Sequence, residues 1–230
     1  MSGQRRSGGE PVASMGRARG HREGDGDTRQ RIYDEARELF ADFGFDHVTV
    51  RDICQKAGAN LAAVNYHFGD KLGLYLEVVR AAADQMKAGN EGVMAAEGMD
   101  AVGRLGHYIR TYLPRLMLVD QDRYGWIHHL MRQEMAEPTP GAKIIMDEAI
   151  RPRVRYLGSI VAELLGSPVD DPRVMRCVSS IQSQCLFYLP DPFRDRVADW
   201  PDRTPESAAA AAEHVFAFSL AGIAAVKQGG

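Results

Sequence analysis

The chain has 230 residues, of which 45% are hydrophobic, and a formal net charge of −3 at pH 7. This length fits one or two domains with a sizeable core, and the charge excludes nucleic-acid binding that relies on bulk positive charge alone. The sequence shows neither the apolar segment of a secretory signal nor an apolar run as long as a membrane span. We therefore expect a cytoplasmic protein with no membrane partner.

The first 26 residues are rich in Gly, Ser, Arg and acidic residues and contain almost nothing to bury. This composition is typical of disorder, so we expect residues 1–26 to form a disordered tail. The arginines of the tail can reach phosphate or a minor groove, but its acidic residues nearly cancel their charge. We therefore interpret it as a solubilising tail.

A helix is predicted next, with an N-cap at Asp27 or Thr28 and an end at Gly44. Its apolar residues recur every three or four positions, which is typical of a helix with one buried face. The residues on that face are Ile32, Ala36, Leu39, Phe40 and Phe43.

Two short helices joined by a tight turn follow at once. Thr49 is a good N-cap, with Asp52 three residues on as an acidic partner. Gly58 can adopt the left-handed conformation that ends this first helix, and Asn60 caps the second only two residues later. This is the helix-turn-helix arrangement that places one helix in the major groove of DNA.

The second short helix has two distinct faces. Val64 and Phe68 lie one turn apart and can both enter the core. The opposite face then carries Asn65, which can bond bidentately to adenine, and Tyr66, which can bind phosphate. The turn alone also fits an ordinary helical hairpin with a solvated face.

The rest of the chain is predicted to be helical, without strand-like alternation. Pro152 should kink one of these helices, and the four prolines in the segment from Leu189 to Pro205 indicate a loop. The expected helices run from Asp70 to about Met86 and near 100–119, 122–136, 141–166, 171–189 and 206–227.

In this order, the N-terminal motifs resemble the TetR family of transcriptional regulators over about residues 28–75. The resemblance rests on Ile32-Tyr33-Asp34-Glu35-Ala36, Leu39-Phe40, Gly44-Phe45, Thr49-Val50-Arg51-Asp52-Ile53, Ala57-Gly58, Asn65-Tyr66-His67-Phe68 and Lys71. It implies an all-α fold, with a three-helix helix-turn-helix DNA-binding domain at 27–75 and a helical ligand-binding and dimerisation domain at 76–230.

The resemblance also implies which residues face double-stranded operator DNA. Many members carry a tyrosine at the position of Asn65 and a lysine or arginine at that of Leu61, so the preferred sequence does not transfer from a relative. The residues expected at the DNA are Thr49, Arg51, Asn60, Leu61, Ala62, Ala63, Asn65, Tyr66, His67 and Lys71.

Residues 132–140, reading RQEMAEPTP, and Ile150-Arg151-Pro152 resemble the CecR-type branch of the family. In the wider family this domain dimerises and holds a small-molecule effector, and mixed aromatic, soft and polar side chains fit such a pocket. That lining favours a largely apolar compound of drug size, although such residues also fit plain core packing. The expected ligand contacts are Tyr108, Tyr112, Met117, Trp126, His129, Met131, Arg132 and Gln182.

The last helix is apolar almost all round, which indicates burial on two sides. A second copy of the chain can cover the second side, giving a four-helix interface with the helix at 171–189. The alternative is one central core helix in a single chain. The expected interface residues are Val178, Ile181, Cys185, Phe216, Leu220 and Ile223.

Together these features predict a ligand-responsive repressor that binds an inverted-repeat operator as a homodimer and is released by a small molecule. Two alternatives are a helical protein-interaction adaptor and, with less support, an enzyme with a site near His128 and His129. Because the chain contains no HExxH, CxxC or GxSxG motif, we expect no enzyme, cofactor or metal. The cysteines are expected to stay reduced, since Cys177 and Cys185 are too far apart on one helix to pair.

Overall fold

The structure, a computed structural model, describes residues 17–191, 196 and 202–229, with the backbone alone at 17–25 and 121–123. The described chain is all-α, as expected. It forms ten α-helices and one π-helical segment in this order: α1 (Arg17–His47), α2 (Val50–Ala57), α3 (Leu61–Phe68), α4 (Lys71–Met94), α5 (Ala101–Met117), α6 (Gln121–Ala136), α7 (Pro140–Ile145), the π segment (Met146–Ile150), α8 (Arg151–Leu165), α9 (Pro172–Phe187) and α10 (Pro205–Gln228).

Helix α1 begins at Arg17, so it overlaps the end of the segment 1–26 that was expected to form the tail. The boundary of the tail stays a prediction. Residues 1–16 lie outside the described residues. At its other end α1 is broken at Gly44, whose φ of 79° and ψ of 170° are not helical. A glycine fits there because this backbone conformation strains residues with a side chain.

Two hydrophobic cores divide the described chain. The first joins α1, α2 and α3 to the N-terminal part of α4 and to α6, and includes Ile32, Phe40, Ile53, Val64, Leu74, Tyr75 and Leu130. The second joins α5, α8, α9 and α10, and includes Leu105, Tyr108, Ile109, Leu157, Ile160, Val178, Ile181 and Val215. Helix α4 spans both, because Leu74 packs in the first core and Val93 in the second.

Pro152 changes the helix in a way that its sequence position only partly predicts. Proline is accepted in a first helical turn, and Pro152 occupies the first turn of α8. The break falls before it, in the π segment, where the Arg151 amide donates to the carbonyl of Met146. Such single-turn π segments often accompany functional sites.

Helix α10 corrects the expectation that no apolar segment is long enough to cross a membrane. An 18-residue window within it has a mean hydropathy of 1.6, although only 22% of the window is buried inside the chain. Core helices of soluble proteins meet the same criterion. Here one side of α10 packs into the second core through Ala208, Ala212, Val215 and Ile223.

Candidate nucleic-acid interface and effector cavity

The turn between α2 and α3 is fixed by local hydrogen bonds. The Thr49 hydroxyl accepts from the amide of Asp52 at 3.2 Å, and the Asp52 carboxylate accepts from the amide of Thr49 at 2.9 Å. The hydrogen bonds from Thr49 lower the pKa of Asp52. Gly58 takes the left-handed conformation, and the side-chain oxygen of Asn60 accepts from the amide of Ala63 at 2.9 Å.

This turn presents one face of α3 to solvent. Val64 and Phe68 are buried in the first core, as their spacing predicts. On the opposite face Leu61 is 56% exposed and Tyr66 is 76% exposed, with Asn65 beside them and also exposed. The Asn65 amide and the Tyr66 phenol are therefore accessible to solvent, while the apolar side of α3 is buried in the first core.

The ten expected DNA contacts differ in how accessible their side chains are. Arg51 is exposed, but Thr49 and Asn60 already use their side-chain oxygens as helix caps. Ala62 is exposed, whereas Ala63 and His67 are half-buried. Lys71 is half-buried at the start of α4, with its ammonium 4.2 Å from the ring centroid of Phe45. DNA contact by these residues remains a prediction.

A cavity of about 580 Å³ lies between α4, α5, α6 and α8 in the C-terminal part of the chain. Such a volume is typical of a small-molecule site. Its lining residues are Gln85, Met86, Ala88, Gly89, Asn90, Tyr112, Arg115, Leu116, Leu118, Val119, Asp120, Tyr124, Ile127, His128, Met131 and Arg153.

Only Tyr112 and Met131 of the eight expected ligand contacts line this cavity. Met117 is fully buried in the second core. Tyr108 and Gln182 lie behind the wall and hold Arg153, since the guanidinium donates to the Tyr108 hydroxyl at 3.1 Å and to Gln182 Oε1 at 2.9 Å. They are supporting residues rather than lining residues.

The remaining expected ligand contacts face away from the cavity. The Trp126 ring lies under the guanidinium of Arg37 in α1, at 5.7 Å, and His129 Nδ1 is 3.5 Å from Asp42 Oδ1. Arg132 is exposed and does not line the cavity. Neighbouring residues on a helix point about 100° apart, so α6 turns its His128 to the cavity and its His129 to α1.

Two arginines that the sequence did not single out dominate the polar lining. Arg153 is only 6% exposed and stacks over the ring of Tyr112, with the guanidinium carbon 4.2 Å from the ring centroid. Arg115 lies against α4, where Nη2 donates to the carbonyl of Gln85 at 3.4 Å. Burial lowers the pKa of Arg115, and the charge of Arg153 lowers it further.

Asn90 and His128 add further polar groups to the cavity wall. The Asn90 amide donates to the carbonyl of Ala149 in the π segment at 2.7 Å. Burial lowers the pKa of His128, and its Nδ1 is buried without a hydrogen bond within the described chain. No local motif marks these residues, although Arg153 directly follows the helix-disturbing Pro152.

A buried polar network joins α4 to α6 between the cavity and α3. The Tyr75 hydroxyl donates to the Glu134 carboxylate, which also accepts from the Thr139 amide at 3.0 Å and the Thr139 hydroxyl at 2.6 Å. Burial, the hydrogen bond and the charge of Glu134 all raise the pKa of Tyr75. Beside it, Gln133 Nε2 donates to the carbonyl of Asp42 in α1 at 3.0 Å.

Four of the six residues expected at a dimer interface are buried within the single chain. Val178, Ile181, Cys185 and Ile223 are each at most 3% exposed, so they belong to the second core. Phe216 and Leu220 are half-buried against the same core, and Phe216 packs under Arg110. The exposed large apolar side chains described on α9 and α10 are instead Met175, Leu186, Phe187, Phe218 and Val226.

Both halves of the chain match known families. Residues 32–78 match the bacterial regulatory proteins of the tetR family, and residues 101–223 match the C-terminal domain of the HTH-type transcriptional dual regulator CecR. The chain belongs to the TetR family of transcriptional regulators. Its relatives are regulators rather than enzymes, and the described residues contain no group of His, Cys, Asp or Glu side chains able to hold a metal.

Individual relatives agree with this assignment. The HTH-type transcriptional repressor AcnR of Corynebacterium glutamicum is 32% identical over 135 residues, which span 55% of this chain and 64% of AcnR. The HTH-type transcriptional dual regulator CecR of Shigella flexneri is 24% identical over 70% of this chain and 75% of its own length. The TetR-family regulator PfmR of Thermus thermophilus shares the fold, with a TM-score of 0.56 and 19% identity over 82% of this chain and 95% of PfmR.

Proposed function

We propose that this chain is a ligand-responsive transcriptional repressor of the bacterial cytoplasm, which binds an inverted-repeat operator as a homodimer. In this proposal a small molecule in the cavity releases the protein from DNA. The observation that carries the proposal is the double role of α6. This one helix supplies part of the cavity wall and also packs against the helices that hold α3.

The contacts of α6 support coupling between the cavity and α3. Tyr124, Ile127, His128 and Met131 line the cavity. Other faces of the same helix contact α1 through His129 and Gln133 and reach α4 through Glu134. A compound that shifts α6 therefore moves α1 and α4 together, and α3 lies between them. Coupling between two such sites is typically about 1–3 kcal/mol, or several-fold to hundredfold in affinity.

The uncovered face of α9 and α10 supports a homodimer. Phe218 is 63% exposed, and the alanines at 210, 217, 221 and 225 are exposed along the same helix. Small residues allow close helix approach, and two copies related by a two-fold axis would bury the same patch on each chain. A two-fold dimer presents two identical copies of α3, which is why the operator should be an inverted repeat.

The decisive experiment is selection of bound fragments from the source genome by the purified protein. We expect enrichment of fragments that share one inverted repeat, located near genes whose transcription rises when the protein is deleted. If no sequence is enriched in the recovered fragments relative to the input, the chain is not a sequence-specific regulator. If the nearby genes instead fall in expression on deletion, the protein is an activator rather than a repressor.

A further inference from the structure

We infer that the effector of this protein is an organic carboxylate, with an apolar body and an anionic head held by Arg153 and Arg115. The inference rests on the proposed function, in that the cavity is taken as the effector site. It also revises the sequence-based expectation of a largely apolar compound, because that expectation included neither of the two arginines.

Arg153 is a buried cation that has no partner of opposite charge among the residues described by the structure. Among the described residues its contacts are the neutral groups of Tyr108, Gln182 and Tyr112, and no carboxylate forms an ion pair with it. An isolated buried charge is costly, and charged groups inside proteins are normally paired. The cavity beside Arg153 is the place from which an anion can supply the missing charge.

The geometry of the Arg153 guanidinium suits a carboxylate. Its hydrogen bonds to Tyr108 and Gln182 both leave from Nη1, so neither of them occupies the edge formed by Nε and Nη2. Two parallel N–H donors on one edge match the two oxygens of a carboxylate. Gln182 also donates to the Tyr108 hydroxyl at 2.6 Å, so the residues that hold Nη1 in place are themselves fixed.

Arg115 places a second cation on the cavity wall. The guanidinium of Arg115 lies over Gly89 of α4, in the space that a Cβ at that position would occupy. Arg115 and Arg153 repel each other, which lowers the pKa of Arg115 in addition to the larger effect of burial. Asp120 is the one acidic residue among the described lining. Two arginines and one acid leave a net positive wall that an anion would neutralise.

The apolar part of the lining indicates the rest of the ligand. Hydrophobic side chains from α4, α5, α6 and the connection between α5 and α6 share the lining with the polar groups: Met86, Leu116, Leu118, Val119, Ile127 and Met131. A polar or multiply charged small acid would leave these groups facing polar atoms. A monocarboxylate with an aromatic or aliphatic body satisfies both parts of the wall.

The test is calorimetric titration of the full-length protein with naphthoate and octanoate, each beside its neutral primary amide. We expect each acid to bind at least about tenfold more tightly than its amide, a difference of about 1.4 kcal/mol. Arg153→Gln should bring the acid-to-amide ratio close to one. Arg155→Gln is the matched control, since Arg155 is an exposed arginine on the same helix outside the cavity.

A second route keeps the test valid if Arg153→Gln does not fold. Gly89→Ala should displace the guanidinium of Arg115, and Arg115→Gln removes its charge without adding a side chain to α4. Both should lower the acid-to-amide ratio while leaving amide binding near that of the wild type. A wild-type ratio near one, an unchanged ratio in both variants, or no saturable binding of either acid at millimolar concentration would overturn the inference.

The proposed function can fail separately from this inference. If the acids bind with the expected preference but leave operator affinity unchanged, the carboxylate site stands and ligand control of DNA binding is wrong. If a neutral compound releases the operator and the acids do not bind, ligand control stands and the carboxylate inference is wrong.

Discussion

The hydroxyl of Tyr75 donates a buried hydrogen bond to the carboxylate of Glu134, and this bond ties the first turns of α4 to the end of α6. Helix α4 begins next to α3, whereas α6 carries part of the cavity wall. The bond therefore links a helix of the cavity wall to the helix that begins beside α3.

Replacing Tyr75 with phenylalanine should destabilise the protein measurably. The substitution keeps the ring in the first core but removes a hydrogen bond to a charged acceptor, which is worth about 1.5–3 kcal/mol. The measurement is the free energy of unfolding by chemical denaturation. The control is Tyr66→Phe, because the exposed Tyr66 hydroxyl should contribute less than about 0.5 kcal/mol. Equal stability of the two variants would show that the Tyr75 bond does not join the helices.

Asn65→Ala and Lys71→Ala should weaken DNA binding in different ways. Asn65 is proposed to contact a base, so its loss should cost about 1–3 kcal/mol on the operator and relax the preference at one position per half-site. Lys71 is proposed to contact phosphate, so its loss should weaken all sequences alike and reduce the salt dependence.

These two DNA variants are compared by titrating operator and random duplexes at several salt concentrations. Lys87→Ala is the matched control for Lys71, since Lys87 is an exposed lysine four turns further along α4. Should Asn65→Ala lower affinity equally for operator and random DNA, Asn65 does not read a base.

Phe218→Glu should convert the protein to monomers. Phe218 is exposed on α10 within the proposed interface, so two glutamates would face each other or a buried apolar surface across the two-fold axis. Sedimentation at micromolar concentration measures the change. Met135→Glu is the control, because Met135 is 78% exposed on α6 and outside that face. A wild-type protein that sediments as a monomer would remove the basis for the dimer.

Because of His128, the free energy of unfolding of the protein should be lower in mild acid than at neutral pH. Burial lowers the pKa of His128, and neighbouring positive charge lowers it further. Below about pH 6.5 His128 is therefore protonated more readily in the unfolded chain than in the folded chain. The free energy of unfolding consequently falls as pH falls. His128→Gln should flatten this acid limb, whereas His214→Gln, at an exposed site on α10, should not. If the free energy of unfolding falls equally with decreasing pH in the wild type and in His128→Gln, His128 is not the cause of the acid sensitivity.

The capping residues could be predicted from the sequence because caps are local. Thr49, Asp52, Gly58 and Asn60 act on groups within three or four residues along the chain, so their spacing alone carries the information. The exposed face of α3 followed in the same way from the positions of its buried residues. Recognition of the family then extended these local patterns to the all-α fold.

The cavity could not be predicted because it depends on contacts between distant helices. Periodicity indicates that α6 has an apolar face, but not whether α1 or the cavity lies opposite a given residue. The sequence therefore predicts a ligand contact at His129, whereas His128 lines the wall. Helix α10 is apolar almost all round, and the sequence does not show which side its own chain covers. Ile223 is on the covered side and Phe218 on the uncovered side.

The most direct test of operator binding by two copies of α3 is a hydroxyl-radical footprint on a selected genomic fragment. We expect two protected patches related by a dyad, with centres about 34–36 Å apart or a multiple of that spacing. Asn65→Ala should weaken both patches together, because each half-site contacts an identical helix. A single protected patch with no dyad would contradict a dimer that reads DNA through α3.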